Sequence, residues 1–246
     1  MSKIKFPKPG NFIYPVPAVM VSCQGSDGKP NIITIAWTGT VCSDPPMAYI
    51  SVRKERHSYQ MIKESGCFVI NLPDKALAKA CDYCGCTSGR KVDKFKECHL
   101  TPAKSTEISA PMIEEAPVSI ECKVTQVLPL GTHDMFLAEV VAVHVDEKYM
   151  DEKNAFHMDD IGMFAYEHGT YRELGDKLGT FGYSVRKKPS GNKAPGKKVD
   201  NKRAKEKKTV STKSDNTKAK ANKPVSKKSA PKKAIGNKIS NKKRTH

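Results

Sequence analysis

One tryptophan, Trp37, serves all 246 residues, and the last sixty carry no Phe, Tyr or Trp. No run approaches the ~18 apolar residues of a membrane-spanning helix. Met1-Ser2-Lys3-Ile4-Lys5-Phe6-Pro7 leads into Pro and Gly rather than an apolar signal core. The expectation is a cytoplasmic chain, free of membrane, whose eight cysteines stay reduced. No Gly-x-Gly-x-x-Gly follows a strand-like stretch, so no Rossmann site for a pyridine nucleotide is expected. No catalytic triad and no internal repeat is visible.

Acidic residues are also scarce, but only locally. The chain has 43 Lys and Arg against 26 Asp and Glu, a net +17. Residues 187–246 hold 22 of those bases and three acids, Asp200, Glu206 and Asp215, for +19. The first 186 residues keep 21 bases and 23 acids, for −2. The basic segment's only large apolar residues are Val199, Val210, Val225, Ile235 and Ile239. It cannot bury enough surface to offset the entropy of ordering. The reading is a folded domain over 1–186, long enough for a sizeable core, followed by a disordered Lys-rich tail. Such a tail attracts polyanions without sequence specificity, or simply adds solubility.

Within the body, strand-like stretches outnumber helical ones. Val19–Ser22 and Asn31–Val41 flank the turn Gly25–Pro30, a hairpin pattern. Met47–Val52 and Cys67–Leu72 read as further strands. Val118–Leu128 and Met135–Val145 are longer strands joined through Pro129–Thr132. Helices are expected over Ser58–Ser65, capped by Ser58 and closed by Gly66, and over Asp74–Tyr83, capped by Asp74. Thr87–Lys96 reads as a polar loop. Hairpin connections favour antiparallel pairing, so a closed or partly closed barrel with peripheral helices is expected.

Several clusters could hold a flat ligand with an anionic tail. Trp37 is flanked by Ala36 and Thr38-Gly39-Thr40, and small neighbours let a plane approach the backbone; a lone Trp on a strand is otherwise core filler. Ser51, Arg53, Ser58 and Tyr59 lie at a strand end and helix start, where free N–H groups and the helix dipole favour phosphate. Arg53 or Arg56 would add a charge-assisted bond. Arg90, Lys91 and Lys94 form a compact cationic loop, or an exposed basic turn. His133 precedes a strand and titrates near neutrality. Cys81, Cys84 and Cys86, with Cys98-His99 downstream, suggest metal or redox chemistry. The spacing is incomplete for a metal site, and none is assigned.

Together, Asn31-Ile32-Ile33-Thr34-Ile35-Ala36-Trp37, Ser43-Asp44-Pro45-Pro46, Ser51-Val52-Arg53, Ser58-Tyr59, Phe68-Val69-Ile70-Asn71, Ser88-Gly89-Arg90-Lys91-Val92-Asp93-Lys94-Phe95 and Gly131-Thr132-His133-Asp134-Met135-Phe136 resemble the flavoredoxin branch of the flavin reductase-like family, over about residues 10–185. The resemblance implies a mainly β, antiparallel, FMN-binding split barrel that works as a homodimer. It implies an FMN-dependent oxidoreductase, drawing electrons from NAD(P)H or a redox protein that binds transiently. By position, Asn31, Trp37, Ser58, Lys94, His133 and Phe164 would hold the cofactor. Ala36, Thr38, Ser51, Arg53 and Tyr59 would line the same site, with Thr34 and Arg90 in the matched segments. No catalytic acid or base is implied. A non-enzymatic flavin-binding module with a polyanion-binding tail is the alternative.

A chain ending near Arg186 should keep its flavin binding and lose salt-sensitive retention on nucleic acid. Salt-titrated binding of the two chain lengths to one duplex checks this. Equal salt slopes would show that the +19 segment is not the polyanion contact.

Overall fold

The computed structural model describes residues 1–186, and the tail expected to be disordered lies outside the described residues. In chain order the strands are β1 (Val16–Pro17), β2 (Val19–Gln24), β3 (Pro30–Ile35), β4 (Thr38–Ser43), β5 (Pro46–Arg53), β6 (Cys67–Leu72), β7 (Pro102–Ala103), β8 (Met112–Ile113), β9 (Val118–Pro129), β10 (His133–Val145), β11 (Phe164–Glu167) and β12 (Thr170–Glu173). Three α-helices join them: α1 (His57–Ser65), α2 (Ala78–Cys86) and α3 (Lys94–Glu97). None is long and apolar enough to cross a membrane, among the described residues.

Seven strands form one sheet in the order β3-β2-β6-β9-β10-β5-β4, and every neighbouring pair is antiparallel. The two edge strands are consecutive in the chain, separated only by Ala36 and Trp37. Laid flat, those edges would stand roughly 29 Å apart, at about 4.8 Å per strand spacing. Two residues reach only about 10 Å. The sheet must therefore curl until its edges meet, which makes it a split barrel. The strand expected over Asn31–Val41 is broken for the same reason: its two halves belong to opposite edges. At the break, the Ser51 N–H donates to the Trp37 carbonyl at 2.8 Å.

Strand alternation divides the core in two. Val19, Val21, Ile33, Ile35, Ile50, Val52, Phe68 and Phe136 fill the barrel with Tyr59, Met61 and Ile62 of α1. Met20 and Ile32 point the other way and pack under α2 and α3 with Leu77, Cys81, Cys84 and Phe95. β2 and β3 are thus buried on both faces. A separate sheet of β1, β11 and β12 is absent from the sequence reading.

The helix boundaries shift for physical reasons. α1 begins at His57, and its N-cap is Arg56, whose side chain makes no capping bond. Ser58 is instead buried inside the first turn. Gly66 closes α1 in the left-handed region, at φ 67°. Asp74 does cap, accepting from the Leu77 N–H at 3.1 Å, but a 3-10 turn intervenes and α2 runs on to Cys86. The loop expected over Thr87–Lys96 ends early, because Asp93 accepts from the Lys96 N–H and starts α3.

Glu121 of β9 is fully buried. Its carboxylate accepts from the Thr106 and Glu107 N–H groups at 2.7 and 2.8 Å and meets His144 Nε2 at 2.6 Å. Burial alone would raise its pKa; the backbone donors, the His144 ring and the Thr106 hydroxyl outweigh it and hold the group low. A depressed carboxylate contributes stability above its unfolded pKa, and that contribution is lost as pH falls through the folded value. Glu121→Gln should cost about 1–3 kcal/mol at neutral pH, read by urea melts. The gap from wild type should narrow on acidification below the usual carboxylate range; a gap that is constant with pH would deny Glu121 this role.

Candidate functional site

Where the barrel edges meet, two cavities join into one groove. The wider, about 400 Å³, is lined by Thr34, Ala36 and Trp37 at the β3–β4 break, Ser51 and Arg53 of β5, and His133 of β10. Gly85 and Cys86 at the end of α2 form another wall, and Tyr14, Tyr166 and Tyr171 a third. The narrower, about 200 Å³, is lined by Asn31, Ser58, Ser88, Gly89 and Lys94. Ile33, Arg56 and Gly85 line both. The shape is an aromatic-walled slot ending in a polar dead end.

The dead end is built by α1, α3 and the turn between α2 and α3. Asn31 Nδ2 donates to Ser58 Oγ at 2.7 Å, fixing β3 to the first turn of α1. Gly89 lies against that pair: a Cβ there would stand 2.1 Å from Asn31 Oδ1. Thr34 Oγ1 donates to the Cys81 carbonyl, and a Cβ on Gly85 would come 3.2 Å from Thr34 Cβ. The end of α2 therefore presses closely on β3.

Charge decides what fits. Lys94 is 4% exposed. Its ammonium donates to the carbonyls of Ile32 and Cys84, both at 2.7 Å, and a lysine has three donors. No carboxylate pairs with it among the described residues. Burial pulls its pKa below the ordinary lysine value. The start of α1, uncapped by any side chain, lines the same cavity, and Arg56, which makes no ion pair among the described residues, stands at the junction. Lys94, Arg56 and the start of α1 thus favour an anion in the dead end, where Glu55 is the one acidic lining residue. In the slot, burial and then Arg53 lower the pKa of His133, so its ring is neutral near pH 7. His133 Nδ1 lies 2.9 Å from Thr132 Oγ1.

The structure brings Asn31, Thr34, Ala36, Trp37, Ser51, Arg53, Ser58, Lys94 and His133 to this groove. Four expected residues line neither of the two cavities. Tyr59 points into the barrel and donates to Asp134 Oδ2 at 2.6 Å. Thr38 is buried, donates to the Tyr49 carbonyl at 2.6 Å and lines a neighbouring cavity that shares Ala36, Trp37, Ser51, Arg53 and His133 with the slot. Arg90 bonds the Glu55 carbonyl at 2.9 Å and lines the adjoining cavity of about 770 Å³. Phe164 is buried in the outer core, edge-on to Tyr171. Cys81 and Cys84 are buried, with the Cys81 thiol pushed up to about 12. Among the described residues no group of three or more His, Cys, Asp or Glu could hold a metal.

Tyr14, Tyr166 and Tyr171 were not legible as site residues. The alternation Tyr166-Glu167-His168-Gly169-Thr170-Tyr171 around a glycine turn carries a hairpin signal, and that hairpin supplies two of the three rings. Tyr14 stands beside a two-residue strand and has no comparable signal.

A model of the flavin reductase like domain matches residues 11–175. The chain belongs to the flavin reductase-like family. Within this family it is similar to the flavoredoxin of Desulfovibrio vulgaris (Miyazaki F), at 30% identity and TM-score 0.69, over 75% of this chain and 100% of that one. A flavoredoxin from Methanosarcina acetivorans is 29% identical, with TM-score 0.68, over 75% and 97%. An uncharacterised Archaeoglobus fulgidus protein is 28% identical over 142 residues, 58% of this chain and 79% of the relative. In flavin reductase-like terms, the groove lies at the split of the barrel.

Gly89→Ala should destabilise the protein by about 1–3 kcal/mol, the usual cost of overpacking, because Asn31 must leave Ser58. Urea melts check this. An unchanged midpoint would mean that the turn moves aside freely.

Proposed function

We propose that this protein is an FMN-dependent oxidoreductase, with the flavin ring in the 400 Å³ slot and its phosphate in the dead end. The observation that carries the reading is the buried Lys94 ammonium, which pairs with no carboxylate among the described residues, at the narrow end of an aromatic-walled groove in a flavin reductase-like chain. When bound, FMN supplies the redox chemistry, and the protein binds and orients it. Lys94, Arg56 and the α1 N-terminus hold the phosphate. Thr34 to Trp37 and the three tyrosines exclude water from the ring. His133, neutral, offers one hydrogen-bonding nitrogen without adding charge.

No residue of the groove is assigned a proton-transfer step, in keeping with electron or hydride transfer. The donor is NAD(P)H or a redox protein that docks transiently. The working unit is a homodimer, and the exposed apolar residues Phe12, Ile13, Val41, Leu130 and Val143 provide surface for a second subunit. The basic segment beyond residue 186 contacts polyanions.

Protein reconstituted with FMN should retain about one flavin per chain and bleach anaerobically with NADH, NADPH or reduced ferredoxin. Bleaching by dithionite alone, with no response to any biological donor, would favour the non-enzymatic flavin-binding module. Failure to retain flavin at all would reject both readings.

A further inference from the structure

The two thiols under the dead end have no part in the function proposed above. Cys84 Sγ lies 3.9 Å from Cys98 Sγ. Cys84 is buried on α2 and lines the dead end, whereas Cys98 is half-exposed and caps the C-terminus of α3. The same elements carry the anion clamp. Lys94, the first residue of α3, donates to the Cys84 carbonyl, and the Cys98 N–H returns to the Lys94 carbonyl at 3.1 Å. Lys94 and Cys98 therefore sit at the start and the C-cap of one short helix of four residues, and Cys84 faces it from α2.

We propose that Cys84 and Cys98 form a thiol–disulfide pair that reacts with small-molecule disulfides and, once joined, weakens anion binding in the groove. Cys98 is the less buried thiol and attacks first. Its thiolate, having given its proton to solvent, bonds to one sulfur of the disulfide; the S–S bond breaks and one thiolate leaves. Cys84 then attacks the Cys98 sulfur of the mixed disulfide and expels the second thiolate. Two cysteine thiols are oxidised, and one small disulfide is reduced to two thiols. The sulfurs must close from 3.9 Å to about 2.05 Å. That closure draws the end of α3 toward α2, and Lys94 must shift with its helix. An ammonium held by two carbonyls cannot follow without losing its alignment with the dead end. The coupling to FMN rests on the reading that FMN's phosphate sits there; the disulfide itself does not.

The test uses the full chain, reduced and freed of reductant, then incubated with oxidised glutathione. Tryptic peptides are mapped without reduction, and FMN affinity is titrated before and after. A cross-link should join peptides 80–90 and 97–104. It should be absent from Cys84→Ser and Cys98→Ser and present in Cys86→Ser. FMN affinity of the oxidised protein should fall at least about fivefold, the lower end of ordinary coupling between sites, and dithiothreitol should restore it. No cross-link, or one that survives Cys84→Ser, overturns the pair. A cross-link with unchanged FMN affinity overturns the coupling. If the reduced protein fails to bind FMN, the flavin reading falls and the coupling with it, while the peptide map still decides the disulfide.

Discussion

The Lys94 ammonium lies between the carbonyls of Ile32 and Cys84, and much of the rest follows from that position. Moving a charge out of water costs several kcal/mol even after relaxation. Two backbone carbonyls offset part of that cost, and they bind β3, α2 and α3 at one point. The charge that remains pairs with no carboxylate among the described residues and lies beside the uncapped start of α1 and Arg56. A bound phosphate would neutralise it. On the proposed reading, local stability and ligand affinity depend on the same ion.

Barrel closure sets the second constraint. Because β3 and β4 are opposite edges of one sheet, their two-residue connection must cross the split. Ala36 and Trp37 are that connection, and the Ser51 N–H fixes it to β5. The slot opens there, since the strands do not pair across the split. The sheet of β1, β11 and β12 adds the aromatic wall, with Tyr14 6.3 Å from Tyr166 and Tyr166 5.5 Å from Tyr171, centroid to centroid.

The strands of the barrel were legible because alternation and turn residues are local signals. β6 was read at its observed bounds, Cys67–Leu72. The break at Ala36-Trp37 was not, since it comes from closure of seven strands and not from local propensity. Of the residues that line the groove, Ser58 and Lys94 were singled out by local pattern, and Asn31 only by the family resemblance. Tyr59 and Arg90 could not be separated from them. Sequence proximity to Ser58 and Lys94 does not say that one side chain turns into the barrel while the other reaches the Glu55 carbonyl. The tyrosines required the fold itself.

The central claim is that an unmatched buried cation makes the groove a flavin phosphate site. The most direct measurement compares equilibrium affinities of the full-length protein for FMN and riboflavin, which differ only by that phosphate. A charge-assisted hydrogen bond contributes about 1.5–3 kcal/mol, or roughly tenfold or more in affinity. The account predicts that FMN binds at least about tenfold more tightly than riboflavin. Equal affinities would contradict it and leave Lys94 as a structural clamp alone.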